Sequence, residues 1–278
     1  MRCLRWFHAL NSPCEVSRAL GELGALDSPS VAPQHVGVEV DVCVVETADG
    51  GQRVVLRHHP DPLNNDYFFD DFLRDFGKVV PCPSWRLSVL KLDVKDTKCM
   101  GALLQDVDRV IRVLGLEGPS SLWFNADVCD SLIRRWNPRW DPPRRWFSAL
   151  TTAEQVHWMT RCIERGCGLS LGWVTDTCDG FPCYSAEDGD AMLMLLRRLT
   201  QNEPRRPPAV LTFPVRASLV IDVGSAPVTA LRRLQEMVTV ELHVHSFFTF
   251  WRGRDEDLSE AQCREIWRAF PDATIDVD

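Results

Sequence analysis

Glu39 and Asp41 stand two residues apart in the apolar run Val36–Val45 of this 278-residue chain. Side chains at alternate positions of an extended strand share a face, so the two acids point the same way. The same spacing recurs around Leu87–Val94, where Lys91, Asp93 and Lys95 share one face. Three carboxylates supply hard oxygen ligands, which favour Mg2+ or Ca2+ over zinc. Inward-pointing lysines beside them suit an anionic substrate. His8 ends the stretch Leu4–His8, and His58-His59-Pro60 follows Arg53–Arg57. Imidazole titrates near neutrality, so these histidines could pass protons in either direction. Asn125 and Asp127 follow Leu122-Trp123-Phe124, Trp173 shares a face with Thr175, Arg216 ends Ala209–Val215, and Trp251 closes the region Val238–Trp251. The structural alternative for the charged set is an internal salt-bridge network.

Short apolar runs alternating with helix-period segments predict βα units and a parallel sheet. The spacing predicts strands at Leu4–His8, Val36–Val45, Leu87–Val94, Ser121–Phe124, Leu169–Thr175 and Ala209–Val215, then within Val238–Trp251 and at Ala273–Val277. Helices are predicted at Pro13–Leu23, Asp66–Phe76, Ala102–Leu114, Thr151–Arg165, Ala186–Leu199, Ala226–Glu236 and Leu258–Phe270. Ala48-Asp49-Gly50-Gly51 leads into Arg53–Arg57 as a hairpin on the second strand. Thr152 and Gln155 form the expected capping box of the fourth of these helices. From Trp136 to Trp146 the density of proline, arginine and tryptophan predicts an excursion rather than a regular element. The whole reads as one domain, residues 1–278, of α/β class with a (β/α)8 barrel, whose active sites gather at the C-terminal strand ends.

Hydrophobic residues make up 45% and charged residues 25%, an ordinary globular balance. A net charge of −8 argues against a large nucleic-acid surface. No apolar run is long enough for a membrane span, and no signal peptide is visible, so a cytoplasmic location is expected. The odd count of 11 cysteines also fits a reducing compartment. Cys162/Cys167 and Cys178/Cys183 are spaced more loosely than zinc pairs prefer and read as small hydrophobes. His243 and His245, at alternate positions of the seventh strand region with Glu241 on the same face, form a second, weaker metal pattern.

Several blocks in order carry a family resemblance: His8-Ala9-Leu10-Asn11-Ser12, Glu39-Val40-Asp41-Val42, His59-Pro60 and Leu90-Lys91-Leu92-Asp93-Val94-Lys95. Trp123-Phe124-Asn125-Ala126-Asp127, Leu171-Gly172-Trp173-Val174-Thr175 and Thr212-Phe213-Pro214-Val215-Arg216-Ala217 continue it. Together they resemble the menorin family, which is similar in turn to the glycerophosphodiester phosphodiesterases. That resemblance implies a phospholipase-C-like phosphodiesterase barrel with His8, His59 and Lys95 as catalytic groups. It implies Glu39, Asp41 and Asp93 as ligands of Mg2+ or Ca2+. Asn11, Lys91, Asn125, Asp127, Trp173, Arg216 and Trp251 would bind the substrate, a small phosphodiester or a lipid headgroup. Two departures stand out: Ala9-Leu10 replaces Arg-Gly after the first histidine, and Pro60 replaces aspartate after the second. The alternative reading is a non-catalytic module that binds a phosphorylated ligand or a protein partner. The wider family includes secreted members, so an extracellular location also fits the resemblance.

Overall fold

The computed structural model describes residues 5–24, 34–58, 67–80, 82, 84–176, 180–202, 207–221, 224–252 and 258–275. They group into two compact units, the first ending at Asn125 and the second beginning at Ala126. The fold is mixed α/β with a mostly parallel sheet.

The first unit runs β1 (Arg5–Phe7), α1 (Pro13–Gly24), β2 (Gln34–Glu46), β3 (Gln52–Leu56), β4 (Tyr67–Phe68), α2 (Phe69–Gly77), β5 (Trp85–Val94), α3 (Met100–Gln105), α4 (Val107–Leu114) and the opening of β6 (Leu122–Cys129). β1 and β5 flank β2 in parallel, while β3 returns antiparallel through the expected hairpin. Two expectations are corrected here. The helix predicted from Asp66 starts only at Phe69, because Tyr67 and Phe68, aromatic residues suited to strands, pair with Leu56 and Val55 instead. Arg53 also holds its guanidinium 3.7 Å above the Phe68 ring. The helix predicted at Ala102–Leu114 breaks at Asp106, whose side chain accepts from Arg109 at 3.0 Å. A short polar side chain that competes for local hydrogen bonds favours such a junction.

The decisive local feature lies between β2 and β5. Val36 pairs with Leu87, but the next residue, Gly37, pairs with Val89, leaving Ser88 as an extra residue. Beyond this bulge Glu39 pairs with Lys91 and Asp41 with Asp93. A slip of one residue moves every later side chain to the opposite face. Ser88 therefore brings the polar residues of both strands onto one face, while Val38, Val40 and Val42 match Leu90, Leu92 and Val94 on the other.

The second unit holds the rest of β6, then α5 (Ser131–Trp136), α6 (Thr152–Glu164), β7 (Gly168–Trp173), α7 (Ala186–Asn202), β8 (Leu211–Arg216), α8 (Ser218–Ile221), α9 (Ser225–Leu242), β9 (Ser246–Trp251), α10 (Glu260–Ala269) and β10 (Thr274–Ile275). β7 to β10 follow one another in parallel. The capping box of α6 is formed by Thr151 and Glu154, one position earlier than expected. α9 continues past Glu236 to Leu242 and stops where His243 adopts a left-handed conformation, φ 54°. Its core is aromatic: Trp173 packs on Phe213, Phe213 on Phe248, and Phe248 on Phe270 with centroids 4.9 Å apart. Among the described residues no helix is long and apolar enough to cross a membrane.

Candidate active site

The site of the first unit is built in layers on the polar face of β2 and β5. Its floor is aromatic. Trp6 pairs with Gly37 and packs with its ring centroid 5.8 Å from that of Trp123, the planes tilted by 50°. A Cβ on Gly37 would meet Trp6 ring atoms at 2.7 Å, so only glycine lets the indole lie flat on the strand there. One layer up, Lys91 Nζ donates to Glu39 Oε2 at 2.7 Å. His8, which leaves β1 above Trp6, brings Nδ1 to 3.3 Å from the same oxygen.

The next layer joins Asp41, Asp93, Lys95 and Asn11. Lys95 Nζ lies 2.6 Å from Asp93 Oδ2 and 3.3 Å from Asp41 Oδ1. Asn11 clamps Asp41 twice: its Nδ2 donates to Oδ2 at 2.5 Å, and its Oδ1 accepts from the Asp41 backbone N–H at 2.9 Å. The loop that delivers Asn11 turns sharply at Ala9, a non-glycine residue at φ 52°. The Leu10 N–H donates to the Glu39 carbonyl at 3.0 Å, and Glu15 accepts from the Asn11 N–H and the Ser12 hydroxyl.

Charge is distributed unevenly through this cluster. Burial pushes Glu39 up, but His8 and Lys91 outweigh it and hold its carboxyl well below the usual carboxylate range. Burial likewise opposes ionisation of Asp41, yet Lys95, His58 and Asn11 leave it lowered. Asp93 goes the other way. Burial raises it, and the nearby Asp41 and Glu39 charges add to burial against the pull of Lys95.

Glu39, Asp41 and Asp93 offer one oxygen each within 4.8 Å of one another, and they are the one such gathering of potential metal ligands among the described residues. An all-oxygen set of buried carboxylates fits a hard divalent ion. The lysines partly neutralise the set, so the salt-bridge network is also present; the two readings describe the same atoms.

The structure thus brings together His8, Asn11, Glu39, Asp41, Lys91, Asp93 and Lys95. Asn125 pairs with Asp93 across β5 and β6 in the same unit. His59 lies outside the described residues, although its neighbour His58 acts electrostatically on Asp41. In the second unit Asp127 is exposed, with an oxygen so close over Gly172 that a Cβ there would meet it at 2.6 Å. Trp173 is buried, donates its indole N–H to the Asp188 carbonyl at 3.1 Å and packs on Tyr184 at 5.3 Å. Arg216 donates to the Asp176 carbonyl at 2.6 Å and is paired with Trp251 across β8 and β9. The second metal pattern dissolves: Glu241 lies in α9, held by Arg197 at 2.6 and 2.7 Å, and His243 is the helix cap rather than a strand residue. The sequence reading missed the Asn11 clamp, whose only trace is an amide three positions after His8. It also missed Ser88, which carries no mark in a single sequence.

Against solved structures, the chain matches a protein from Galdieria sulphuraria assigned provisionally as a glycerophosphodiester phosphodiesterase. The match has a TM-score of 0.50 at 8% identity and covers 99% of this chain and 93% of that one. A slighter likeness, TM-score 0.33 at 11% identity over 95% of this chain and 66% of the other, is to morphinone reductase in complex with tetrahydroNAD. No curated protein matches the sequence. The chain accordingly shares the mixed α/β fold of that neighbour. More narrowly, the chain belongs to the menorin family, whose N-terminal domain model matches residues 2–278.

Proposed function

We propose that the protein is a metal-assisted enzyme acting on a phosphodiester, by hydrolysis or by release of a cyclic phosphate. The observation that carries this reading is the buried carboxylate trio with an accessible histidine on one of its members. Glu39, Asp41 and Asp93 would hold Mg2+ or Ca2+, which supplies stabilisation of the negative charge that grows on phosphate oxygens. The His8 side chain is 43% exposed while Glu39 is 6% exposed, so the imidazole faces solvent with one nitrogen anchored on a buried anion. That carboxylate fixes the ring's orientation, suiting His8 to deliver a proton to the leaving oxygen. His59, carried over by resemblance, would take the proton from water or from a substrate hydroxyl. Lys95 stands at the rim of the cluster, where an ammonium can meet a phosphate oxygen. Asn11 keeps Asp41 oriented.

The test is turnover of lipid, nucleotide and cyclic phosphodiesters by the full chain with Mg2+ and with Ca2+. His8→Ala should lower turnover by roughly 10²–10⁴-fold, and His59→Ala by a similar factor. The double variant should lose little more, because acid and base serve one transition state. Turnover that survives loss of both histidines would overturn this mechanism. If the wild type turns over nothing with either ion but still captures a phosphorylated ligand, the protein is a binding module instead.

A further inference from the structure

We propose that Lys95 is a resident counter-ion that must leave its carboxylates before a divalent ion is held firmly, so that the ion and an anionic substrate bind as a pair. The inference rests on the metal-assisted reading and deepens it. One ammonium, Lys95 Nζ, bridges two of the three acids, at 2.6 Å from Asp93 and 3.3 Å from Asp41. With Lys91 on Glu39 at 2.7 Å and the His8 ring 3.3 Å from the same oxygen, three carboxylates face two ammonium groups and an imidazole, so at most one formal negative charge remains. That is little with which to strip water from a doubly charged ion. An ammonium and a divalent ion drawn to the same oxygens also repel one another.

The two lysines are not equivalent in this contest. The Lys91 side chain is 7% exposed and enclosed with Glu39 at 6%. The Lys95 side chain is 21% exposed and sits one residue beyond the end of β5, on a flexible four-carbon stem. An anion arriving at the rim gives that ammonium a new partner. Asp41 and Asp93 then recover the negative charge that an ion needs. By linkage, whatever factor the anion contributes to ion binding, the ion returns to anion binding.

Mn2+ serves as the probe, its free concentration read by electron paramagnetic resonance, with sulfate as an unreactive tetrahedral anion at constant ionic strength. In the wild type, sulfate should tighten Mn2+ by about tenfold. Lys95→Met should bind Mn2+ about tenfold more tightly without sulfate, and sulfate should then have no effect. Lys95→Gln, which keeps a polar group at the rim, should behave alike, and circular dichroism confirms that both variants fold. If all three proteins bind Mn2+ equally and sulfate changes nothing, the proposal falls while the metal site stands. If sulfate tightens the ion equally in the variants, Lys95 is not the switch. If none of the three binds Mn2+ with or without sulfate, the metal-assisted reading itself has failed. Should the variants not fold, absence of any sulfate effect in the wild type still overturns the proposal.

Discussion

Glu39 and Asp93 are both acids on one face of the sheet, yet removing their charges should have unequal consequences. Glu39→Gln leaves the buried Lys91 ammonium without its opposite charge, and breaking such a pair costs about 3 kcal/mol. Asp93→Asn should cost less than about 1 kcal/mol in metal-free protein, because burial and two neighbouring anions already disfavour its charged form. Urea unfolding in the presence of a chelator separates the two. The pH dependence follows the same asymmetry. Glu39 and Asp41 titrate lower in the folded state than unfolded, so their stabilisation is present above the usual carboxylate range and lost as pH falls through and below it. Asp93, raised on folding, opposes them: its cost builds as pH rises from the unfolded value and is complete above its folded value. Metal-free Glu39→Gln should therefore lose less stability on acidification than the wild type does. Ala9 offers a simpler case. Glycine pays no steric cost at φ 52°, so Ala9→Gly should stabilise the fold by about 0.5–1 kcal/mol, read as a higher urea midpoint. The types and spacing of Glu39, Asp41, Lys91, Asp93 and Lys95 were legible in the sequence because strand alternation is regular. The partner of Asn11 was not, since an amide can serve substrate or carboxylate equally well until the loop at Ala9 aims it.

Elements were legible where one period prevailed and illegible where a local side chain overrode it. β2, β3 and α1 lie within a few residues of expectation because their apolar spacing is clean. The long helix expected at Ala102–Leu114 was misjudged because its apolar stripe continues through Asp106 while its backbone does not. The pairing of His243 with His245 failed for a related reason: α9 keeps helical spacing beyond Glu236, so the residues before Ser246 never enter a strand. Most consequential is the contact of Trp6 with Gly37. Gly37→Ala should cost roughly 2 kcal/mol through overpacking against the indole. In a Trp6→Leu background the same substitution should cost much less. A double-mutant cycle on unfolding free energies measures that coupling, and additive effects would refute the contact as its source.

At the scale of the molecule, one family model runs from residue 2 to residue 278, and the candidate site is contained within the first unit. A ligand that binds only the native state stabilises it by mass action. After chelation, Mg2+ or Ca2+ should raise the melting midpoint and slow amide exchange in β2 and β5, which carry the three acids. An unchanged midpoint and exchange pattern with either ion would argue decisively against the site. The α/β class could be read from alternating patterns along the chain. The division at Asn125 has no mark in the sequence, because it falls inside a single strand, β6.

The unpaired Ser88 also bears on how the chain finds its native state. β2 and β5 are distant in sequence, and their apolar halves would zip together equally well without a bulge. In that competing alignment Val40 would meet Lys91, and Val42 would meet Asp93, in place of Leu92 and Val94. Each mismatch would strand a charge among aliphatic side chains, at several kcal/mol apiece. The misaligned sheet is thus penalised before it can mature, and the error is felt at the very residues on which the proposed chemistry depends. Substitutions that make the site's charges apolar should therefore slow productive folding by admitting a misaligned trap, read as a slower refolding phase.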